Sequence, residues 1–163
     1  MNQIRRHFAF RTKYVGITNV LLNEVIVHSL IDNRTIKYRA VWDTGATNTV
    51  IDLKVVSELG LEPIGVTEMH TASNKTEPDL VNLYLIDLEL PNRVLVKEVQ
   101  VICTQIKPDV LIGMDIIQMG DFNISNANKK TTFSYCMPSC DNPVDLLEKA
   151  NAINKRLFKK RPK

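Results

Sequence analysis

The sequence predicts a mainly β domain with two short helices and a helical C-terminal tail, and three observations carry that reading. Apolar and polar residues alternate through most of residues 24–103, and turn-forming residues fall between those stretches. Helical spacing is confined to two short patterns, after Asp52 and after Gly113, and one longer pattern beyond Pro138.

Taken in chain order, residues 24–30 and 35–42 read as a hairpin, with Ile36, Tyr38, Ala40 and Trp42 alternating with more polar neighbours. Asp32-Asn33 supplies the turn, because both side chains bond the local backbone and tolerate left-handed conformations. The second strand delivers the chain to Asp43. Residues 48–51 read as a short strand, and Asp52 caps a helix that runs to Leu59 and is ended by Gly60. Residues 66–70 and 80–90 form a long hairpin around the polar tip Ser73-Asn74-Lys75-Thr76. Pro91-Asn92 turns the chain into residues 93–103, where Val94, Val96, Val99 and Val101 favour extended structure. Residues 109–112 are a short apolar strand, Gly113 permits close packing, and residues 114–119 form a short helix closed by Gly120. Residues 122–125 and 131–135 make a final hairpin. Beyond it, Val144, Leu146, Leu147, Ala150, Ile153 and Leu157 mark an amphipathic helix that needs an apolar surface to rest on. The chain thus divides into an N-terminal segment (1–19), a domain (20–136) and a basic amphipathic tail (137–163).

A chain of 163 residues suits one domain with tails, and 44% apolar with 24% charged residues excludes a disordered, collagen-like or coiled-coil protein. No apolar run approaches the roughly 18 to 20 residues of a membrane helix, and the basic start lacks the apolar stretch of a secretory signal. The expected location is cytoplasmic. Three cysteines, Cys103, Cys136 and Cys140, do not make a disulfide framework. Cys136 and Cys140 are spaced loosely like half a metal clip, but structural zinc takes four ligands, and His7, His28 and His70 are scattered without a matching pair. No metal and no cofactor are therefore expected. Of the net charge of +3, the tail from residue 144 onward carries seven basic residues against two acidic ones, so the body is slightly acidic. Such a tail reads as a solvated terminus, and no nucleic-acid partner is expected.

Two short motifs carry chemistry. Asp43-Thr44-Gly45-Ala46 follows the apolar strand ending Val41-Trp42, and Gly113 follows Val110-Leu111-Ile112 seventy residues later. With a hairpin tip between them and a helix opening after the second, this arrangement resembles the single-lobe, retropepsin-like aspartic peptidases over about residues 20–136. The resemblance implies a single-lobe acid-protease barrel and an aspartic endopeptidase, with Asp43, Thr44 and Gly45 as the catalytic motif. It further implies that Ala46, Ala72, Ser73 and Asn74 meet a peptide or protein substrate, the last three from a flap over the site.

The chemistry suits those residue types. Hydrolysis of an amide without metal or covalent nucleophile needs one carboxylate to take a proton from water and one carboxylic acid to polarise the carbonyl. Two carboxyls about 3 Å apart share a single proton and titrate as a pair, for which aspartic proteases are the standard example. This chain holds one Asp-Thr-Gly and is too short for a second lobe. The second aspartate must come from another copy, which a two-fold homodimer supplies automatically. The family's threonine bonds across that axis, a role that falls to Thr44. Three departures from the viral pattern stand out. The flap tip lacks a glycine run, Met114 replaces an arginine, and Thr47 replaces its acidic partner, which is consistent with an apolar replacement of the ion pair in a cellular branch.

Other candidates have plainer readings. Asp109 and Asp115 are assigned to helix capping or surface solvation, Trp42 to packing beneath the catalytic loop, and His70 to an ordinary strand position. The rival function is a non-catalytic module of the same fold that binds a peptide or merely dimerises. A carboxylate facing its own copy would give such a module only repulsion.

Overall fold

The computed structural model describes residues 6–70 and 78–159. Strands β2 (Leu22–Ser29) and β3 (Thr35–Trp42) form the expected hairpin, whose turn holds Asn33 at φ 59° and the Arg34 amide 3.2 Å from the Asp32 Oδ1 that accepts from it. Alternate residues of β2 (Asn23, Val25, Val27, Ser29) and of β3 (Tyr38, Ala40, Trp42) turn inward and are buried. Strand β4 (Val50–Ile51) leads into helix α1 (Leu53–Leu59). Asp52 caps that helix through a 2.9 Å bond from the Lys54 amide, and Gly60 closes it at φ 58°. Both caps lie where the sequence predicts them.

A long strand, β6 (Asp79–Leu90), organises the barrel. Its first half pairs with β5 (Gly65–Met69), and residues 83–90 pair with β7 (Val94–Cys103). Residues 86–89 also pair with β2, so that Leu88 faces Val27 on one side and Val96 on the other. Strand β8 (Val110–Ile112) completes the circuit by running parallel to β3 and antiparallel to β4, while β4 runs parallel to β7. The β2–β6 pairing closes six strands, β2-β3-β8-β4-β7-β6, into a barrel, leaving β5 as an appended edge. Val27, Ile86, Leu88 and Ile112 are fully buried inside it. Each such side chain contributes about 1.5–3 kcal/mol of hydrophobic stabilisation.

A second sheet covers one end. Strand β9 (Asp121–Ser125) pairs with β10 (Thr132–Met137), and β1 (Phe8–Lys13) adds to the other edge of β10. The sequence reading assigns no element to residues 8–13. Their partners lie roughly 120 to 130 residues away, Phe8 opposite Met137 and Lys13 opposite Thr132, so only the tertiary fold makes the strand visible. Phe10, Phe122, Phe133 and Tyr135 from this sheet surround the Trp42 ring, with centroids 5.1 to 6.0 Å away. Trp42 donates its Nε1–H to buried Asn23 at 3.0 Å, and Asn23 donates to Thr12 at 2.7 Å. The predicted core role of Trp42 is thus observed.

Helix α2 (Met114–Ile117) is one turn, shorter than the predicted 114–119, and Tyr135 donates its hydroxyl to the Ile116 carbonyl at 2.6 Å. Helix α3 (Leu146–Lys159) forms in the tail as predicted. The apolar surface expected beneath it is not found among the described residues, since Val144, Leu146, Leu147 and Ile153 are all exposed. Among those residues, no helix is long and apolar enough to cross a membrane.

Candidate active site

Strand β3 ends at buried Trp42, opposite Ile112 of β8, and the next residue, Asp43, donates its amide to the Ile112 carbonyl at 2.9 Å. The chain then turns sharply. Gly45 donates its amide to Asp43 Oδ1 at 2.8 Å, and Ala46 donates to the Asp43 carbonyl at 3.3 Å. Asp43 is half-buried, whereas Thr44 and Gly45 are exposed on the outer side of the turn. One carboxylate oxygen is thereby fixed in place and the Asp-Thr-Gly backbone is presented to the exterior. A charge-assisted bond of this kind, from an amide to a carboxylate, is stronger than a neutral one and holds the side chain to one rotamer.

Gly113 explains why the second motif needs a glycine. A Cβ there would lie 2.5 Å from the Asn48 carbonyl group and 3.0 Å from the Ala46 oxygen, both backbone. The close approach lets Met114 donate its amide to the Ala46 carbonyl at 2.8 Å and Asp115 donate to that of Thr47 at 3.0 Å. Thr49, fully buried, completes the clamp. Its hydroxyl donates to Asp115 Oδ1 at 2.8 Å and accepts from the Gly113 amide at 3.2 Å, while its own amide donates to Asp115 Oδ2 at 2.8 Å. Asp115 is therefore a clamp between loops and not simply a solvated helix residue. Asp109 also has a defined place, accepting from the Arg39 amide at 3.1 Å and from Lys54 Nζ at 3.3 Å. Met114, in place of the viral arginine, packs against the core, and Thr47 is exposed.

The Asp43 turn forms one wall of a cleft of about 480 Å³. Ala46, Val50, Ile102, Thr104 and Ile106 also line it, and Glu68, Met69 and His70 join from the end of β5. His70 lies just past β5 and faces this cleft, a departure from the plain strand position predicted for it. Glu68 and His70 are two residues apart, a spacing that puts both side chains on one face of extended chain and could have marked them. Ile106 carried no such signal, because it follows the end of β7 in an irregular segment. Ala72, Ser73 and Asn74 lie outside the described residues. A second hollow of about 490 Å³, lined by Asn23, Lys37 and Arg93 among others, does not include the Asp43 turn.

The sequence model of a family described as aspartyl protease matches residues 27–116, more than half of the chain, and spans both loops of this clamp. The chain belongs to the aspartyl protease family. Its fold is similar to that of a retropepsin-like aspartic protease from Rickettsia conorii, with TM-score 0.50 and 16% identity over 81% of this chain and 96% of that one. At that identity the likeness is one of fold. The foamy viral protease-reverse transcriptase, solved with an RNA/DNA hybrid, matches with TM-score 0.43 and 23% identity over 61% of this chain and 12% of its own. The retroviral protease-like domain of Ddi1 from Leishmania major matches with TM-score 0.39 and 15% identity over 68% and 91%. A search of curated proteins gives no match.

Proposed function

We propose that the protein is an aspartic endopeptidase whose active site forms across a two-fold homodimer, with Asp43 from each copy. The observation that carries this reading is the presentation of Asp43. Its carboxylate is held by the Gly45 amide at the edge of a cleft, and the exposed Thr44 and Gly45 beside it are free to meet an identical turn. In an isologous pair the same residue meets itself across the axis, so one motif per chain is enough. One aspartate of the pair then takes a proton from water as that water attacks the scissile carbonyl. The other, protonated, donates to the carbonyl oxygen.

Thr44 bonds across the axis, Gly45 keeps the turn close, and Ala46 is small enough to leave the channel open for a peptide. Ala72, Ser73 and Asn74 are the further residues assigned to substrate binding. A peptide-binding module without catalysis is the competing reading, and the test separates the two. A peptide library incubated with the wild-type chain and with Asp43→Asn, at acidic and neutral pH, is analysed by mass spectrometry. Cleavage by the wild type alone supports the peptidase. Binding of peptides by both without cleavage by either supports the module.

A further inference from the structure

The three strands of the small sheet end together at a corner remote in sequence from the Asp43 turn. Register sets Cys136 of β10 opposite Asp121 of β9 and opposite Ala9 of β1. Residues opposite one another share a face, as do residues two apart on one strand, so His7, two before Ala9, is brought to the same corner. The chain after β10 then folds back through Pro138 to Cys140, whose amide donates to Asp121 Oδ2 at 2.8 Å.

A ring nitrogen of His7 and the sulfurs of Cys136 and Cys140 consequently lie within 4.8 Å of one another. The Pro138 carbonyl holds two of them to one point, 3.1 Å from His7 Nδ1 and 3.5 Å from Cys136 Sγ. Both cysteines are free thiols, with the sulfurs 3.8 Å apart. Two sulfurs on a tetrahedral zinc at about 2.3 Å each would be separated by about 3.8 Å. The observed spacing already matches that value.

We propose that His7, Cys136 and Cys140 form a zinc site, with the fourth position taken by water or by the Asp121 carboxylate. Two thiolates and an imidazole are a donor set that zinc favours. His7 and Cys140 are exposed and Cys136 is half-buried, so an ion reaches the corner from solvent. The three ligands come from before β1, from β10 and from the segment after it. The ion therefore clips the N-terminal edge strand to the end of the sheet. Spacing alone gave no such site, because the third ligand lies 129 residues from Cys136 and is delivered only by the β1–β10 pairing.

The test uses the untagged full chain, metal-free and kept reduced with a phosphine, titrated with cobalt(II) and then with zinc. The expected result is one cobalt per chain, a thiolate-to-cobalt charge-transfer band with intense tetrahedral d–d absorption, and displacement by zinc. Cys140→Ser and His7→Ala should each lose these bands, Asp121→Asn should weaken affinity about 10–100-fold, and zinc should raise the melting temperature of the wild type but not of Cys140→Ser. Asp43→Asn should bind cobalt like the wild type, which makes the result independent of the proposed peptidase site. No charge-transfer band, or unchanged affinity in His7→Ala or Cys140→Ser, overturns the proposal. So does a reduced chain that binds neither ion and instead closes a Cys136–Cys140 disulfide in air.

Discussion

Thr49 and Asp115 meet through two hydrogen bonds of 2.8 Å, one from the Thr49 amide and one from its hydroxyl, across 66 residues of sequence. The same hydroxyl accepts the Gly113 amide, so a single buried side chain links the loop that follows Asp43 to the start of α2. That loop has little regular structure of its own between β3 and β4. Its shape is set by this clamp and by the bonds from Met114 and Asp115 to the Ala46 and Thr47 carbonyls.

Thr49→Val keeps the volume and removes the hydroxyl, leaving the Gly113 amide without its acceptor and one Asp115 oxygen without its Thr49 donor. The expected cost is about 1–3 kcal/mol, the usual penalty for stranding a buried polar group. Urea denaturation measures it, and an unchanged midpoint would mean that the clamp is not a stabilising feature. Asp115→Asn should cost at least as much, because whichever way its amide is turned the NH2 group faces a backbone N–H donor, that of Thr49 or that of Ile116.

Gly113→Ala tests the close approach of the two loops. The new methyl would sit 2.5 Å from the Asn48 backbone, which cannot swing aside as a side chain would. Overpacking of this sort costs about 1–3 kcal/mol, and here the strain is released by pushing the loop after Asp43 outward. Lower stability together with weaker peptide binding or cleavage is expected from thermal melts and activity assays. Normal behaviour in both would contradict the tight contact.

The alternation of Ile36, Tyr38, Ala40 and Trp42 was enough to read the first hairpin, because one buried face imposes a period of two on the sequence. Asp52 and Gly60 marked α1 for an equally local reason, each supplying its own cap. What the sequence hid is nonlocal. β1 exists because β10 offers it an edge, the Thr49–Asp115 clamp because the β3–β8 pairing aligns two loops, and the His7 corner because three strands stop at one level. The β2–β6 pairing that closes the barrel belongs with them. Composition carries no trace of such pairings, whereas the two motifs flagged the clamped loops through the glycine that their close approach demands.

Asp52 gives a pH dependence with a defined sign. Bonds from the Lys54 amide at 2.9 Å and the Ile106 amide at 3.0 Å stabilise its charged form and hold its pKa below the ordinary 3.8. Because the folded value is the lower one, this contribution to stability is present above the unfolded pKa and is lost as pH falls through the folded pKa. Asp52→Ala should destabilise the protein by about 0.5–2 kcal/mol at neutral pH, the range for loss of a helix cap. The gap between mutant and wild type should narrow as pH falls below about 4. Denaturation curves of both proteins at neutral and acidic pH decide the point, and a gap independent of pH would remove the carboxylate from the account.

The proposed dyad makes a sharper demand than loss of activity in a mutant, because each active site would need an intact Asp43 from two chains. Asp43→Asn preserves the shape of the turn, keeps an oxygen for the Gly45 amide and cannot take a proton from water, so the variant should fold and dimerise but not cleave. Relieving repulsion between two carboxylates should, if anything, tighten its dimer. When mutant and wild-type chains are mixed in equal amounts and allowed to exchange, at most about one quarter of the dimers are then fully wild type. Activity should fall to roughly that fraction of the value for the same total of wild-type chain, whereas independent monomers would retain about half. Dilution provides the complementary measurement, since activity per chain should decline once the concentration drops through the dissociation constant of the dimer. The pH profile of the wild type should be bell-shaped, bounded by two apparent values that belong to the pair. Activity that follows the wild-type fraction linearly and survives dilution would place the chemistry within a single chain and remove the partner's aspartate from the mechanism.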